Sequence, residues 1–173
     1  MYKVAVLRGD AIGPEVIEEG MKVLRAVSDV CGLEFEFIEV EGGGETFLRT
    51  GEVIPDASRD SMDDSDAIYF GAVGLKPERL EPGIAEQAIF EIRFAYDQYV
   101  NLRPTKLYPG LGSFTPVKPE ITAKGVDILM VRENTESLYC RQGGILRGEN
   151  PEGGDAATNI MIYTRKGVER VVR

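Results

Sequence analysis

The stretch Ile89–Lys106, IFEIRFAYDQYVNLRPTK, decides the reading of the fold. With the residues just ahead of it, its first half spaces Ala85, Ala88, Ile89, Ile92, Tyr96 and Tyr99 as one apolar stripe, which predicts a helix over 82–99. Its second half turns into strand, because Arg103 precedes Pro104 and the residue before a proline is pushed into extended backbone. A core-building helix therefore runs into a strand, and Arg93 and Arg103 flank the change. A domain boundary is expected near Tyr99, with residues 1–99 as a first α/β domain and 100–173 as the start of a second.

Upstream of that junction the texture alternates. YKVAVLRG (2–9) is a short apolar run closed by glycine, so a buried first strand. PEVIEEGMKVLRAVSDVCG (14–32) starts with proline and ends with glycine, as a helix should. LEFEFIEVEG (33–42) alternates like a strand, GGETFLRTG and PDASRDSMDDSD read as short helices, and AIYFGAVG (67–74) is another buried strand. This β-α-β-α-β rhythm argues for a mainly parallel sheet with flanking helices. The first turn, RGDAIGPE (8–15), lacks GxGxxG, so the usual Rossmann fingerprint is absent.

Downstream, VNLRPTKLY, VDILMVREN and NIMIYTR read as strands. The Gly-rich, charged stretch 141–155 is too polar for a core and suits a projecting hairpin or loop. TRKGVERVVR opens a helix with Thr164 as its cap, and the chain stops at Arg173 before any C-terminal cap, which reads as a truncation.

The 173 residues carry a net charge of −9 and 43% hydrophobic residues, a globular composition with no basic footprint for nucleic acid. No histidine is present, which excludes Ser-His-Asp and Cys-His catalysis and any His-ligated metal within this chain. Cys31 and Cys140 stand too far apart in sequence for a CxxC site or a disulfide framework. No run is long enough to span a membrane, and a reducing cytoplasm is the expected setting.

Glu86, Ile89, Phe90 and Arg93 are spaced to share one face of the predicted helix: a carboxylate, two apolar side chains and a guanidinium. A ligand with an apolar branch and a carboxylate would suit that face. An ordinary pairing of Arg93 with Asp97 and a solvated Glu86 explains the same residues. Arg132 should emerge at the end of the strand DILMV, and strand ends are where α/β folds bind ligands; Tyr139 follows seven residues later. Arginines 93, 103 and 132 would make a strong carboxylate site if they converged, because the guanidinium fork binds carboxylates bidentately. Spacing alone leaves three unrelated surface arginines open.

GDAIGPEV (9–16), GAVG (71–74), IRFAYDQYVNLRP (92–104) and VRENTESLY (131–139) follow one another as in the isocitrate/3-isopropylmalate dehydrogenase family, which the whole chain resembles. The resemblance implies an isopropylmalate-dehydrogenase-like α/β fold of two domains with the site in the cleft between them. It implies NAD- and Mg2+- or Mn2+-dependent oxidative decarboxylation of a malate-type 2-hydroxy acid, in a homodimer clasped through the 141–155 arm. By the same resemblance Arg93, Arg103 and Arg132 bind the substrate carboxylate, Tyr139 is the general acid that protonates the enol, and Ile12 and Glu86 contact the cofactor. Isocitrate enzymes of the family carry Ser and Asn where this chain has Gln87 and Ile89, whereas Glu86, Ile89 and Phe90 match the isopropylmalate pattern, and with it leucine biosynthesis. DQYVNLRP is similar to D-malate/tartrate enzymes, and a non-catalytic subunit or binding fragment remains a further alternative. Ala11 stands where the family has glycine, so the turn is strained if its φ is positive. The family's catalytic lysine and metal-binding aspartates would lie beyond Arg173, so this chain resembles the N-terminal half of such an enzyme and is expected to be inactive alone.

Overall fold

The computed structural model describes residues 1–148 and 154–173, in two compact units, Met1–Ile92 and Arg93–Arg173. The first unit is built around β1 (Tyr2–Gly9), which lies between β2 (Phe35–Val40) and β3 (Ala67–Ala72) and is parallel to both. Val4, Ala5, Val6 and Leu7 are all buried, so both faces of this central strand are covered, which explains its unbroken apolar run. α1 (Gly13–Cys31) has Pro14 in its first turn and ends at Gly32, whose φ of 64° is the left-handed cap glycine adopts without cost. Its Ile17 and Met21 pack with Val4 and Val6, and Leu24, Phe35, Phe37 and Tyr69 extend that core.

α2 (Gly44–Thr50) and α3 (Asp56–Asp63) occupy the β2–β3 connection, where both short helices are expected. β3 is half-buried rather than fully buried, because it forms one edge of the three-stranded sheet. The helix expected over 82–99 is shorter: α4 spans Gln87–Ala95. Gly83 at φ 93° holds the preceding segment in turns, and Asp97 at φ 43° stops the helix.

The second unit contains two antiparallel pairs. β4 (Val100–Lys106) pairs with β5 (Asp127–Glu133), and β6 (Ser137–Leu146) pairs with β7 (Ala156–Ile162). Among the described residues, parallel pairing is thus confined to the first unit. α5 (Pro119–Thr122) is one turn long and α6 (Arg165–Val172) closes the described chain. Thr164 caps α6 as its sequence predicts, its hydroxyl accepting the Gly167 N–H at 3.0 Å. Of the 141–155 arm, residues 141–146 form the end of β6, and 149–153 lie outside the described residues.

Candidate active site

The densest set of predicted site residues lies in the second unit, on the β5–β6 turn. Arg132 is the penultimate residue of β5, and Tyr139 is the third residue of β6. The turn between them is drawn together by Glu133. Its carboxylate accepts the Thr135 N–H at 2.9 Å, the Thr135 hydroxyl at 2.7 Å and the Glu136 N–H at 2.8 Å. Partial burial alone would raise the Glu133 pKa, but the bonds from Thr135, Glu136 and Asn134 outweigh it and hold the carboxyl below its ordinary value. Ser137, at φ 65°, completes the reversal into β6.

That reversal brings Arg132 back onto Tyr139. Its guanidinium carbon lies 5.4 Å from the ring centroid, and its Nη2 donates to the phenol oxygen. Arg93, buried on α4, places its guanidinium 4.6 Å from the centroid of the same ring. Two cations against one aromatic ring attract a carboxylate, and the phenol supplies a proton donor within the same cluster. Arg103 faces Met130 across the β4–β5 ladder, while Arg132 faces Asn101. The two-residue alternation of strands puts Arg103 and Arg132 on one side of that ladder, with Arg103 at an exposed position.

The other candidates belong to the first unit. Ile89 and Phe90 are half-buried on α4. Glu86 precedes the helix rather than standing on its face, and its carboxylate accepts the Gly83 N–H at 3.0 Å. Ile12 is the N-cap of α1 and is 58% exposed at the C-terminal end of β1, a position suited to apolar contact with a cofactor ring. Among the described residues, no three His, Cys, Asp or Glu side chains gather into a metal-binding group. The described residues by themselves therefore do not form a divalent-metal site.

In the first unit, the roles of Asp10 and Gly43 are not evident from sequence alone. Asp10, only 1% exposed, takes the N–H groups of Gly44, Glu45 and Gly74 at 2.7, 2.8 and 2.9 Å. It thereby caps α2 and ties down the segment after β3. Gly43 must be glycine there: its φ is 110°, and a Cβ would press into the Asp10 carboxylate. An aspartate between Gly9 and Gly13 is a weak sequence signal for such a role, since its three partners lie 34 to 64 residues away.

Comparison with known proteins follows the same lines. The family described as Isocitrate/isopropylmalate dehydrogenase matches residues 3–173. The chain is 44% identical over 172 residues to 3-isopropylmalate dehydrogenases of Thermobifida fusca (strain YX) and Corynebacterium diphtheriae, covering 99% of this chain and 47% of each relative. It is 39% identical over 178 residues to the Aquifex aeolicus 3-isopropylmalate dehydrogenase. Among solved structures it is similar to isocitrate dehydrogenase from Methylococcus capsulatus, with a TM-score of 0.77 at 26% identity over 99% of this chain and 45% of that one. A β-decarboxylating dehydrogenase from Thermococcus kodakarensis gives 0.63 at 31% identity, over 99% and 43% respectively. The chain spans about half the length of the curated relatives it matches.

Proposed function

From the chain's membership of the isocitrate/isopropylmalate dehydrogenase family we propose that it contributes the substrate-carboxylate half of a β-decarboxylating dehydrogenase acting on 3-isopropylmalate. The observation that carries this reading is the meeting of Arg93 and Arg132 on the Tyr139 ring. The two guanidinium groups would hold the malate-type carboxylate, with Arg103 as a third cation from the same side of the ladder. Tyr139 would deliver a proton to the carbon that loses CO2, and Arg132, donating to its oxygen, would hold the phenol in place. Ile89 and Phe90 favour a branched apolar substituent over a third carboxylate. Ile12 and Glu86 would hold the nicotinamide end of NAD, whose chemistry when bound is to accept the hydride. No step is assigned to a metal, because the described residues do not form its ligand set. The two-domain division at 99/100, a cytoplasmic setting and homodimerisation through the 141–155 arm belong to the same reading.

The test is a chimera joining residues 1–173 to the C-terminal remainder of the Thermobifida fusca relative. Its kcat/KM is compared for 3-isopropylmalate, D-malate and isocitrate. A preference for 3-isopropylmalate is expected. Preference for isocitrate would overturn the substrate assignment, and preference for D-malate would move it to the D-malate/tartrate branch. Arg132→Ala should lower kcat/KM by about 100-fold or more, since it strips a charge-assisted contact.

A further inference from the structure

Arg170 stands outside the cluster of Arg93, Arg132 and Tyr139 but holds the segments that carry it. Its Nη1 donates to both carboxylate oxygens of Asp97, at 3.0 and 2.8 Å, and its Nη2 donates to Thr135 Oγ1 at 2.8 Å. Its guanidinium carbon lies 4.4 Å from the Tyr99 ring centroid. Asp97 and Tyr99 belong to the connection between α4, which bears Arg93, and β4. Thr135 belongs to the turn between Arg132 and Tyr139.

The hydrogen bonds have one sense. A guanidinium has no acceptor, so the Thr135 hydroxyl must accept from Arg170, and it donates its own proton to Glu133 at 2.7 Å. The relay therefore runs from Arg170 through Thr135 to the carboxylate that shapes the turn. The N-cap of α6 grips the same turn: the Thr164 N–H and hydroxyl donate to Glu136 at 2.8 and 2.5 Å. An exposed ion pair would contribute little. The Arg170 side chain is only 22% exposed, and its fork is engaged on both prongs, so it fixes geometry as well as charge.

We propose that Arg170 is a positioning residue: a clamp that sets the spacing of Arg93, Arg132 and Tyr139 by binding the two connections that carry them. The proposal rests on the reading of that trio as the substrate-carboxylate site.

The test uses the 15N-labelled 173-residue chain and the variants R170M, R170K and T135V. The guanidinium Nε–H signals of Arg93 and Arg132 and the ring signals of Tyr139 report the spacing directly, with folding monitored by thermal unfolding. Affinity for 3-isopropylmalate is measured in parallel. In folded R170M these signals should shift and broaden, and the Kd should rise roughly tenfold, since displacements near 1 Å at a binding group can cost up to two orders of magnitude. R170K, which keeps the charge but not the fork, should recover only part of the loss. Unchanged signals in folded R170M would overturn the clamp whatever the ligand does. If the signals respond but the chimera does not prefer 3-isopropylmalate, the substrate reading fails and the clamp stands. Should R170M not fold, T135V makes the same comparison, because it breaks the relay while leaving the Asp97 contacts.

Discussion

Ala11 illustrates how one residue can oppose its own turn. The condition for strain in this turn is met, because Ala11 sits at φ 49°. Left-handed backbone costs a non-glycine residue about 1–2 kcal/mol, while glycine adds about 0.5–1 kcal/mol of unfolded-state entropy. The first effect is larger, and Ala11 is exposed, so no side-chain packing is lost. Ala11→Gly should therefore stabilise the chain by roughly 0.5–1 kcal/mol, read from the urea midpoint. A lower midpoint would show that the alanine makes a contact that offsets its backbone cost. Its neighbour Asp10 has the opposite sign. Asp10→Ala would leave the N–H groups of Gly44, Glu45 and Gly74 without their carboxylate, a loss of about 3 kcal/mol in the same denaturation experiment. Asp10→Asn keeps one acceptor oxygen and should lose less.

At the level of elements, the β5–β6 turn has a pH dependence whose sign follows from Glu133. Its carboxyl is held below its ordinary value of 4.5, so the folded state favours the ionised form. The resulting stabilisation is fully present above the unfolded-state value and is lost as pH falls through the lower folded-state value. Between pH 7 and 3 the unaltered chain should therefore lose more stability than Glu133→Gln, which has no carboxyl to protonate. Equal losses would show that the turn does not depend on that charge. The same turn shows where sequence reading reaches its limit. The strand DILMV and the emergence of Arg132 at its end are visible in the apolar run, and Thr164 is visible as a cap. The bonds that close the turn are not, because they depend on Thr135 and Glu136 folding back onto their own neighbour. The excess length read into α4 has a similar cause. The apolar spacing continues through Tyr96 and Tyr99, but the backbone at Gly83 and Asp97 does not stay helical.

Across the whole chain, apolar residues are distributed unevenly between covered and open strands. In β1 four consecutive residues are buried, whereas in β5 Ile128, Leu129, Met130 and Val131 are 47–58% exposed. Both read as strands from sequence, because each is an unbroken apolar run, and a run cannot tell which neighbours will cover it. Consecutive residues of a strand point to opposite faces, so both faces of β5 are open. β4 and β5 form a two-stranded sheet, and each has one edge without a strand partner among the described residues. Open edges beside exposed apolar side chains are a template for intermolecular pairing. The chain should therefore self-associate in a concentration-dependent way, seen by sedimentation velocity from micromolar concentrations upward. Ile128→Lys and Leu129→Lys place a charge on each face of β5 in turn, and the double variant should shift the distribution toward monomer without lowering the thermal midpoint by more than a few degrees. Leu146→Lys, an exposed change on β6, serves as the control for a general gain in solubility. If Leu146→Lys dissolves the assemblies as well as the β5 pair does, association does not run through the β4–β5 sheet. If the unaltered chain stays monomeric at high concentration, the open faces of β5 are tolerated by solvent alone.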